Sequence, residues 1–417
     1  MSGVSACSIS SKKPRYLRQM KLAQTTKPRA CGILLRSSTT GALAADRQRL
    51  LDRLELLDLR HCVEVVQPSV SQHDGVEIAF RLRPRLAHCW APGFDTLGLT
   101  AQLQLDTEHR SADLEREILL AMLLGPLAFE FPSHAELASS VRMRRNIVLA
   151  ARNTALAFYT AEASRPDDCW TYDDERGFTV RPGHSLIAAL QKATQPGATG
   201  RRYAFSCCRA TEYVMLLGIA QELESANPAL LAALQQQWER RAIKSEEFRS
   251  VFLREHGSMQ QPLPPGYYVP GDRVWFRNPD PHSCNATGYE GSWVLYLGGG
   301  LFTNFWTSEP PYTFHGKCLE MFQWRHTAYN DDSGEVRIDE ELVTARLNAL
   351  ASDPVRTAQI LQLMLRLRDP ERDAGSGGCL DASREYPRWV CPGSADLMLP
   401  SSQQQIDLSH LSASLLT

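Results

Sequence analysis

The stretch Tyr203-Ala204-Phe205-Ser206-Cys207-Cys208 leads into a long apolar segment, and it decides how the rest of the chain is interpreted. Apolar residues after it recur three and four positions apart, which predicts a buried helix. These residues are Ala210, Tyr213, Val214, Leu216, Leu217, Ala220 and Leu223. Ser206 is of a type that often caps helix N-termini. The two cysteines are therefore predicted at the first turn of this helix.

A cysteine at the first turn of a helix has an unusual electrostatic environment. The unpaired backbone N–H groups and the positive end of the helix dipole stabilise a thiolate relative to a thiol. Arg209 would act in the same direction. Two cysteines at a helix start can also simply pack in the core, so the pattern alone leaves a nucleophile and a packing role open.

The residues before this helix predict both helices and strands. Ser133 and Glu136 have the spacing of a capping box, in which each side chain bonds the other's backbone N–H. The Arg142–Arg145 cluster is expected on an exposed flank of the helix that follows. The predicted elements are a helix over Asp46–Leu59, a small β unit over residues 60–107 with strand patterns at Val76–Leu82 and Leu99–Leu105, a helix over Arg110–Leu124, a helix from Ser133 to about Tyr159, a hairpin over Trp170–Val180 and a helix over Ser185–Ala193.

The residues after the cysteine helix predict a polar helix and then strands. The predicted elements are a helix over Pro228–His256, strands over Asp272–Arg277, Ser292–Leu297 and Leu301–Trp306, a further strand near Phe314–Trp324 and a helix over Asp339–Arg368. A helix that begins with cysteine, followed by strands that supply the base, is the arrangement of papain-like cysteine enzymes. The predicted fold class is therefore α+β.

The composition excludes several classes of protein. The chain has 417 residues, of which 43% are hydrophobic and 22% charged, within the range of globular proteins. A net charge of -2 argues against a protein that binds nucleic acid over its whole surface. Residues 1–45 contain eight Lys and Arg and no acid, which predicts a basic disordered arm, with an organelle transit peptide as the alternative. No apolar run is long enough to predict a membrane span.

The cysteines point to a reducing compartment. They number 11, are scattered, and include no Cys-x-x-Cys pair, which excludes a zinc ribbon and a thioredoxin motif. Because no secretory signal follows Met1, we expect a cytoplasmic protein in which most thiols are small buried apolar groups. No spacing of His, Cys and Asp predicts a metal site.

Four stretches resemble the small bacterial spore-coat transglutaminases, the protein-glutamine gamma-glutamyltransferases. They are Phe131–Leu137 with its continuation Arg142–Ala151, Tyr203–Cys207, Gly271–Pro279 and Gly291–Gly298. The resemblance extends from Phe129 to Trp306 and leaves residues 1–110 and 310–417 uncovered. It implies a papain-like or NlpC-like core, with the nucleophile at a helix N-terminus against a small antiparallel sheet.

Carried over by position, the resemblance implies that Cys207 is the nucleophile, because it directly follows Tyr-Ala-Phe-x. Cys208 would lie on the next helical face. The family has Glu immediately before the nucleophile, and this chain has Ser206 there.

Two further positions depart from the family's residues. The family's main catalytic Glu falls on Ser292, and its third-strand His falls on Phe305, beside Asn304. The nearest acid is Glu290, two residues before Ser292. If this stretch is extended, the two side chains share a face, so Glu290 is the expected base, with Ser206, Ser292, Asn304 and Cys208 as supporting positions.

Other residues have weaker predicted roles. His282 and His315, from neighbouring loops, are the alternative bases, although each also fits an ordinary surface or core histidine. Tyr203 and Trp293 are candidates for lining the acyl-donor tunnel, with core packing as an equal alternative.

The implied reaction is attack of the thiolate on a protein glutamine carboxamide, loss of ammonia and transfer of the thioester acyl group to a lysine amine. It needs no metal or other cofactor. The expected partners are proteins that bear Gln and Lys, with no nucleic acid. A thiol-dependent deamidase or amidase, and a catalytically degenerate binding or structural protein, are the alternatives on the same core.

These predictions divide the chain into five parts. They are a basic disordered arm (1–45), a small α/β extension (46–125), a transglutaminase-like core (126–330), a helical segment (331–374) and a disordered tail (375–417).

Overall fold

The computed structural model describes residues 31–70, 75–158, 162–306, 310–368 and 378–400. The strands are Gly32–Ser37 (β1), Val63–Val70 (β2), Val76–Leu82 (β3), Ala128–Phe131 (β4), Ala157–Phe158 (β5), Trp170–Asp173 (β6), Gly177–Val180 (β7), Ala204–Phe205 (β8), Leu253–His256 (β9), Arg273–Arg277 (β10), Gly291–Gly298 (β11), Leu301–Phe302 (β12), Tyr312–Thr313 (β13), Ala328–Asn330 (β14), Val336–Ile338 (β15) and Arg384–Pro387 (β16). The helices are Thr40–Leu56 (α1), Pro84–Trp90 (α2), Leu99–Leu103 (α3), Ser111–Leu123 (α4), His134–Arg152 (α5), Leu186–Thr194 (α6), Pro196–Thr199 (α7), Cys207–Ala226 (α8), Pro228–Arg240 (α9), Ser245–Phe252 (α10), Phe314–Thr327 (α11), Glu340–Leu350 (α12) and Pro354–Met364 (α13). The fold is mixed α+β with several small sheets, as predicted at that level.

The first sheet has the strand order β2-β3-β1-β4. Its β1 strand pairs antiparallel with β3 and parallel with β4, so it lies inside the sheet. The predicted disordered arm is therefore wrong for its last residues, because the apolar run Ile33-Leu34-Leu35 is buried. Helix α1 starts at Thr40, earlier than predicted, because the Thr39 side chain accepts a hydrogen bond from the Ala42 N–H (3.3 Å). Residues 1–30 lie outside the described part.

Two predictions for residues 99–159 need correction. Leu99–Leu105 is not a strand, since α3 covers its first five residues and the next residue, Gln104, adopts a positive φ of 53°. Helix α5 ends at Arg152, before the predicted Tyr159. Ser133 does cap α5 by accepting from the Glu136 N–H (3.2 Å). The Glu136 carboxylate instead accepts from backbone N–H groups of the C-terminal segment, so the capping box is only half formed.

The second sheet has the strand order β13-β12-β11-β10-β16-β9, and its strands pair antiparallel. The strands predicted at Asp272–Arg277 and Ser292–Leu297 are present as β10 and β11, whereas the third is shortened to β12. The predicted disordered tail is wrong where β16 inserts between β10 and β9. An ion pair between Arg273 and Glu385 (2.7 Å) helps to hold it there. Residues 401–417 lie outside the described part.

The remaining predictions are partly confirmed. The hairpin over Trp170–Val180 is present as β6 and β7, and the helix over Ser185–Ala193 is present as α6. The long polar helix is divided into α9, α10 and the strand β9. The segment Phe314–Trp324 is a helix, because Thr313 caps it by accepting from the Gly316 N–H (3.0 Å). The last predicted helix is two helices, α12 and α13, since Pro354 starts a new one.

Helix α8 lies at the centre of the core, with all its middle residues buried. It packs closely on α5 where Gly218 faces Ile147, since a Cβ at that glycine would lie only 2.5 Å from Ile147 Cγ1. Arg144, predicted to be exposed, is instead fully buried and pairs with Asp272 (2.7 Å). These contacts fix the start of α8 relative to the second sheet.

Candidate active site

The start of α8 has the geometry that the sequence predicted. Ser206 is extended (φ −77°, ψ 159°), and its hydroxyl accepts a hydrogen bond from the Arg209 N–H (3.4 Å). Cys207 is the first helical residue and is half-buried. Its side chain therefore lies at the positive end of a 20-residue helix.

Cys207 lines a pocket of about 290 Å³ between β11 and helix α11. Burial raises the pKa of its thiol. Hydrogen bonds from the backbone N–H groups of Trp293 and Cys208 lower it, as does the charge of Arg273, whereas the charge of Glu290 raises it. Because burial dominates, the sulfur is mainly a protonated thiol at neutral pH and needs a proton acceptor before it can attack.

The pocket is lined by strand residues on one side and by α11 on the other. Its lining residues are Phe158, Cys207, Gly288, Tyr289, Gly291, Ser292, Trp293, Val294, Thr303, Phe305, Trp306, Tyr312, Lys317, Glu320, Trp324 and Glu340. Trp293 stacks on Trp275 across the β10–β11 pair, with ring centroids 5.6 Å apart. This stacking fixes the backbone whose N–H reaches the sulfur.

The predicted base lies beside the pocket. Glu290 is exposed, and its carbonyl accepts from the Asn278 N–H (3.0 Å). The extended backbone that would give Glu290 and Ser292 a common face begins only at Gly291. Ser292 lines the pocket and Glu290 does not, although the Glu290 charge acts on the Cys207 sulfur.

A model of the protein-glutamine gamma-glutamyltransferase family matches residues 97–386. This chain belongs to that family. The match extends beyond Phe129–Trp306 on both sides, and it includes β16 up to Tyr386. Members of the family are enzymes that act on glutamine and lysine side chains of proteins. A search of curated proteins found no match.

The second cysteine, Cys208, has a different environment from Cys207. The Cys208 thiol donates to Glu212 (3.4 Å), and Arg273 donates to its sulfur (3.3 Å). Burial, with the charge of Glu212, raises the pKa of Cys208 to about 12. Cys208 does not line the Cys207 pocket.

Arg273 connects the two cysteine environments. Its guanidinium donates to Glu385 (2.7 Å) and Thr211 (2.8 Å), and it lies over the Trp293 ring, 3.8 Å from the centroid. Sequence reasoning gave this residue no role, although it lies in the Gly271–Pro279 stretch. It stabilises the tryptophan whose backbone contacts Cys207.

Other predicted residues lie away from the pocket. Tyr203 is buried, and its carbonyl accepts from the Ala157 N–H (3.0 Å). Asn304 lines a separate cavity of about 720 Å³. His282 and His315 are exposed, and neither is among the pocket residues, which include no histidine in the part of the chain that the structure describes.

The far wall of the pocket was missed by sequence reasoning. It includes Lys317, Glu320 and Trp324 of α11, together with Glu340 at the start of α12. The strand interpretation of Phe314–Trp324 put Lys317 and Glu320 on opposite faces. In a helix, residues that are three and seven positions apart share a face, as Lys317, Glu320 and Trp324 do. This helical spacing was the signal in the sequence that could have identified the wall.

Two further observations concern the described residues. No helix among them is both long and apolar enough to cross a membrane. Within the same ranges, no three His, Cys, Asp or Glu side chains converge as metal ligands.

Proposed function

We propose that this chain crosslinks proteins by acyl transfer through Cys207. The sulfur attacks the carboxamide carbon of a protein glutamine, and its proton passes to a base. The carbon–nitrogen bond breaks, ammonia leaves with a proton returned by that base, and a thioester remains. A lysine amine then attacks the thioester, which forms an isopeptide bond and returns the thiol.

The observation behind this proposal is the position of one sulfur. Cys207 is at a helix N-terminus, opens into a pocket and has two backbone N–H groups directed at it. N–H groups so placed stabilise negative charge on sulfur and favour charge development nearby. Together with the family membership, this arrangement supports thiol-dependent acyl transfer over a packing role for Cys207.

Glu290 is the proposed base. The pocket contains no histidine among the described residues, and the charge of Glu290 acts on the sulfur. The side chain needs only to turn toward Cys207, which is compatible with its exposure. Ser206 would cap the helix, Ser292 would face the carboxamide, and Trp293 would line the glutamine site.

The proposed core is papain-like. Helix α8 packs against β11 of the second sheet, so the nucleophile helix and an antiparallel sheet meet as in that class. We propose a catalytic unit that ends at β16 rather than at residue 330, since β16 completes the sheet.

The test is incubation with a glutamine peptide and a dansylated amine. Wild type should incorporate the amine, and mass spectrometry of the quenched reaction without amine should find the acyl group on the Cys207 peptide. Ammonia release without incorporation would indicate a deamidase. Neither incorporation nor ammonia release would indicate a binding or structural protein and would reject the proposal.

A further inference from the structure

The wall of the Cys207 pocket that lies opposite β11 contacts the side-chain ammonium group of one of its own residues, Lys317. Lys317 is only 3% exposed, and its ammonium donates to Glu320 (3.1 Å). The same nitrogen lies 4.2 Å from the Tyr312 ring centroid and 5.1 Å from that of Trp324. Aromatic faces with a carboxylate are the groups that attract a lysine cation.

At the opening of the pocket, the same wall has a second carboxylate, Glu340, and a second aromatic contact, between Tyr289 and Trp324. Glu340 is exposed and accepts a hydrogen bond from the Tyr289 hydroxyl (2.5 Å). Tyr289 contacts Trp324 edge to face, with centroids 5.0 Å apart. None of the ion pairs among the described residues includes Glu340. Its negative charge therefore faces the pocket mouth without an ion-pair partner among the described residues.

The net charge of the residues that line the pocket favours the binding of a cation. Lys317 compensates Glu320, so Glu340 leaves the pocket with one excess negative charge. An incoming lysine is mostly an ammonium at neutral pH, and one of its protons must pass to solvent before the amine attacks the thioester. A carboxylate at the mouth would concentrate such a substrate and orient its nitrogen toward Cys207.

We propose that Glu340, with Tyr289 and Trp324, forms the acceptor subsite of this enzyme and selects primary ammonium substrates. The inference depends on the proposed acyl transfer at Cys207. Trp324 and Glu340 lie in the part of the chain that the resemblance did not cover. They would determine acceptor specificity without taking part in thioester formation.

The test compares a charged acceptor with a neutral one. In Glu340→Gln, KM for a dansylated alkylamine should rise about tenfold, the usual scale for losing a hydrogen bond to a charged group. The rate with hydroxylamine, which is uncharged at neutral pH, should change less than about twofold on the same basis. Glu341→Gln is the matched control, since it removes the same charge from the exposed next residue of α12.

The outcomes separate this inference from the proposed function. An active wild type whose amine KM is the same in Glu340→Gln would overturn the subsite alone. Equal losses of activity with both acceptors in Glu340→Gln would show a structural role for Glu340 and would also overturn the proposed subsite. Absence of incorporation by wild type with either acceptor would overturn the acyl-transfer proposal, and the subsite with it.

Discussion

Cys207 and Cys208 are adjacent in sequence, yet they lie in two different regions of the molecule. Cys207 faces a pocket, and backbone N–H groups reach its sulfur. Cys208 faces a buried layer of ion pairs made by Glu212, Arg273 and Glu385. Burial raises both pKa values, but of the two cysteines only Cys207 lines the pocket. Position on the pocket and neighbouring charge therefore differ between two thiols at the same helix end, and these differences support the proposal that Cys207 is the nucleophile.

The largest expected difference between the two regions is in activity. Cys207→Ser should abolish amine incorporation, because a serine hydroxyl at this position lacks a base strong enough to activate it. Cys208→Ser should retain incorporation within about threefold, since the smaller hydroxyl still donates to Glu212. Dansyl fluorescence of the crosslinked product measures both. Retained activity in Cys207→Ser would show that the assignment of the nucleophile is wrong.

The next effect concerns the base. Glu290→Gln should lower kcat/KM at neutral pH by about 10²–10³-fold, the typical contribution of a general base. The kcat/KM of wild type should depend less steeply on pH than that of the variant, because the base allows the protonated thiol to react. Because the pKa of Cys207 is raised, only a small fraction of the variant has the reactive thiolate at neutral pH. The kcat/KM of the variant should therefore rise about tenfold per pH unit.

The control for this profile is Glu224→Gln, an exposed acid near the far end of α8. The kcat/KM of Glu224→Gln should match that of wild type at each pH. A wild-type profile with the same alkaline slope as Glu290→Gln would show that Glu290 does not accept the thiol proton.

A smaller effect, on the reactivity of Cys207, is expected for Arg273, which contacts the environments of both cysteines. Arg273→Lys should slow iodoacetamide alkylation of Cys207 at neutral pH about three- to tenfold, because lysine cannot stack on Trp293 and donate to Glu385 and Thr211 together. The rates should converge at alkaline pH, where both proteins have the thiolate. The readout is the amount of labelled Cys207 peptide against time.

Arg249→Lys is the matched control for that experiment. Arg249 also pairs with Glu385 (3.1 Å), but among the described residues it is Arg273, and not Arg249, whose guanidinium lies over the Trp293 ring. If both variants slow alkylation equally, the ion-pair layer acts through general stability and Arg273 has no specific positioning role.

The smallest effect should come from the shared helix cap. Ser206→Ala removes the hydroxyl that accepts from the Arg209 N–H and should lower the free energy of unfolding by about 1 kcal/mol. Ser206→Asp should restore most of it, because aspartate caps equally well. Urea unfolding measures both. A variant Ser206→Ala as stable as wild type would show that the 3.4 Å contact contributes little.

Local patterns predicted the elements whose signals lie within a few residues. The cap at Ser206, the helix after it and the strands β10 and β11 follow from hydrogen-bonding preference and side-chain period. The same patterns failed at Phe314–Trp324, where mixed aromatic and polar residues fit strand and helix templates equally. They also failed for Arg144, whose burial depends on Asp272, 128 positions later.

The sequence by itself determined a helix that begins at a cysteine, the family of the chain and an α+β composition, because these depend on short-range spacing and on matching residues. Only the tertiary structure decided which cysteine faces a pocket, that α11 and α12 form its far wall, and that β16 completes the sheet. Those features come from contacts between segments up to about two hundred residues apart, whose pairing depends on the packing of the whole core.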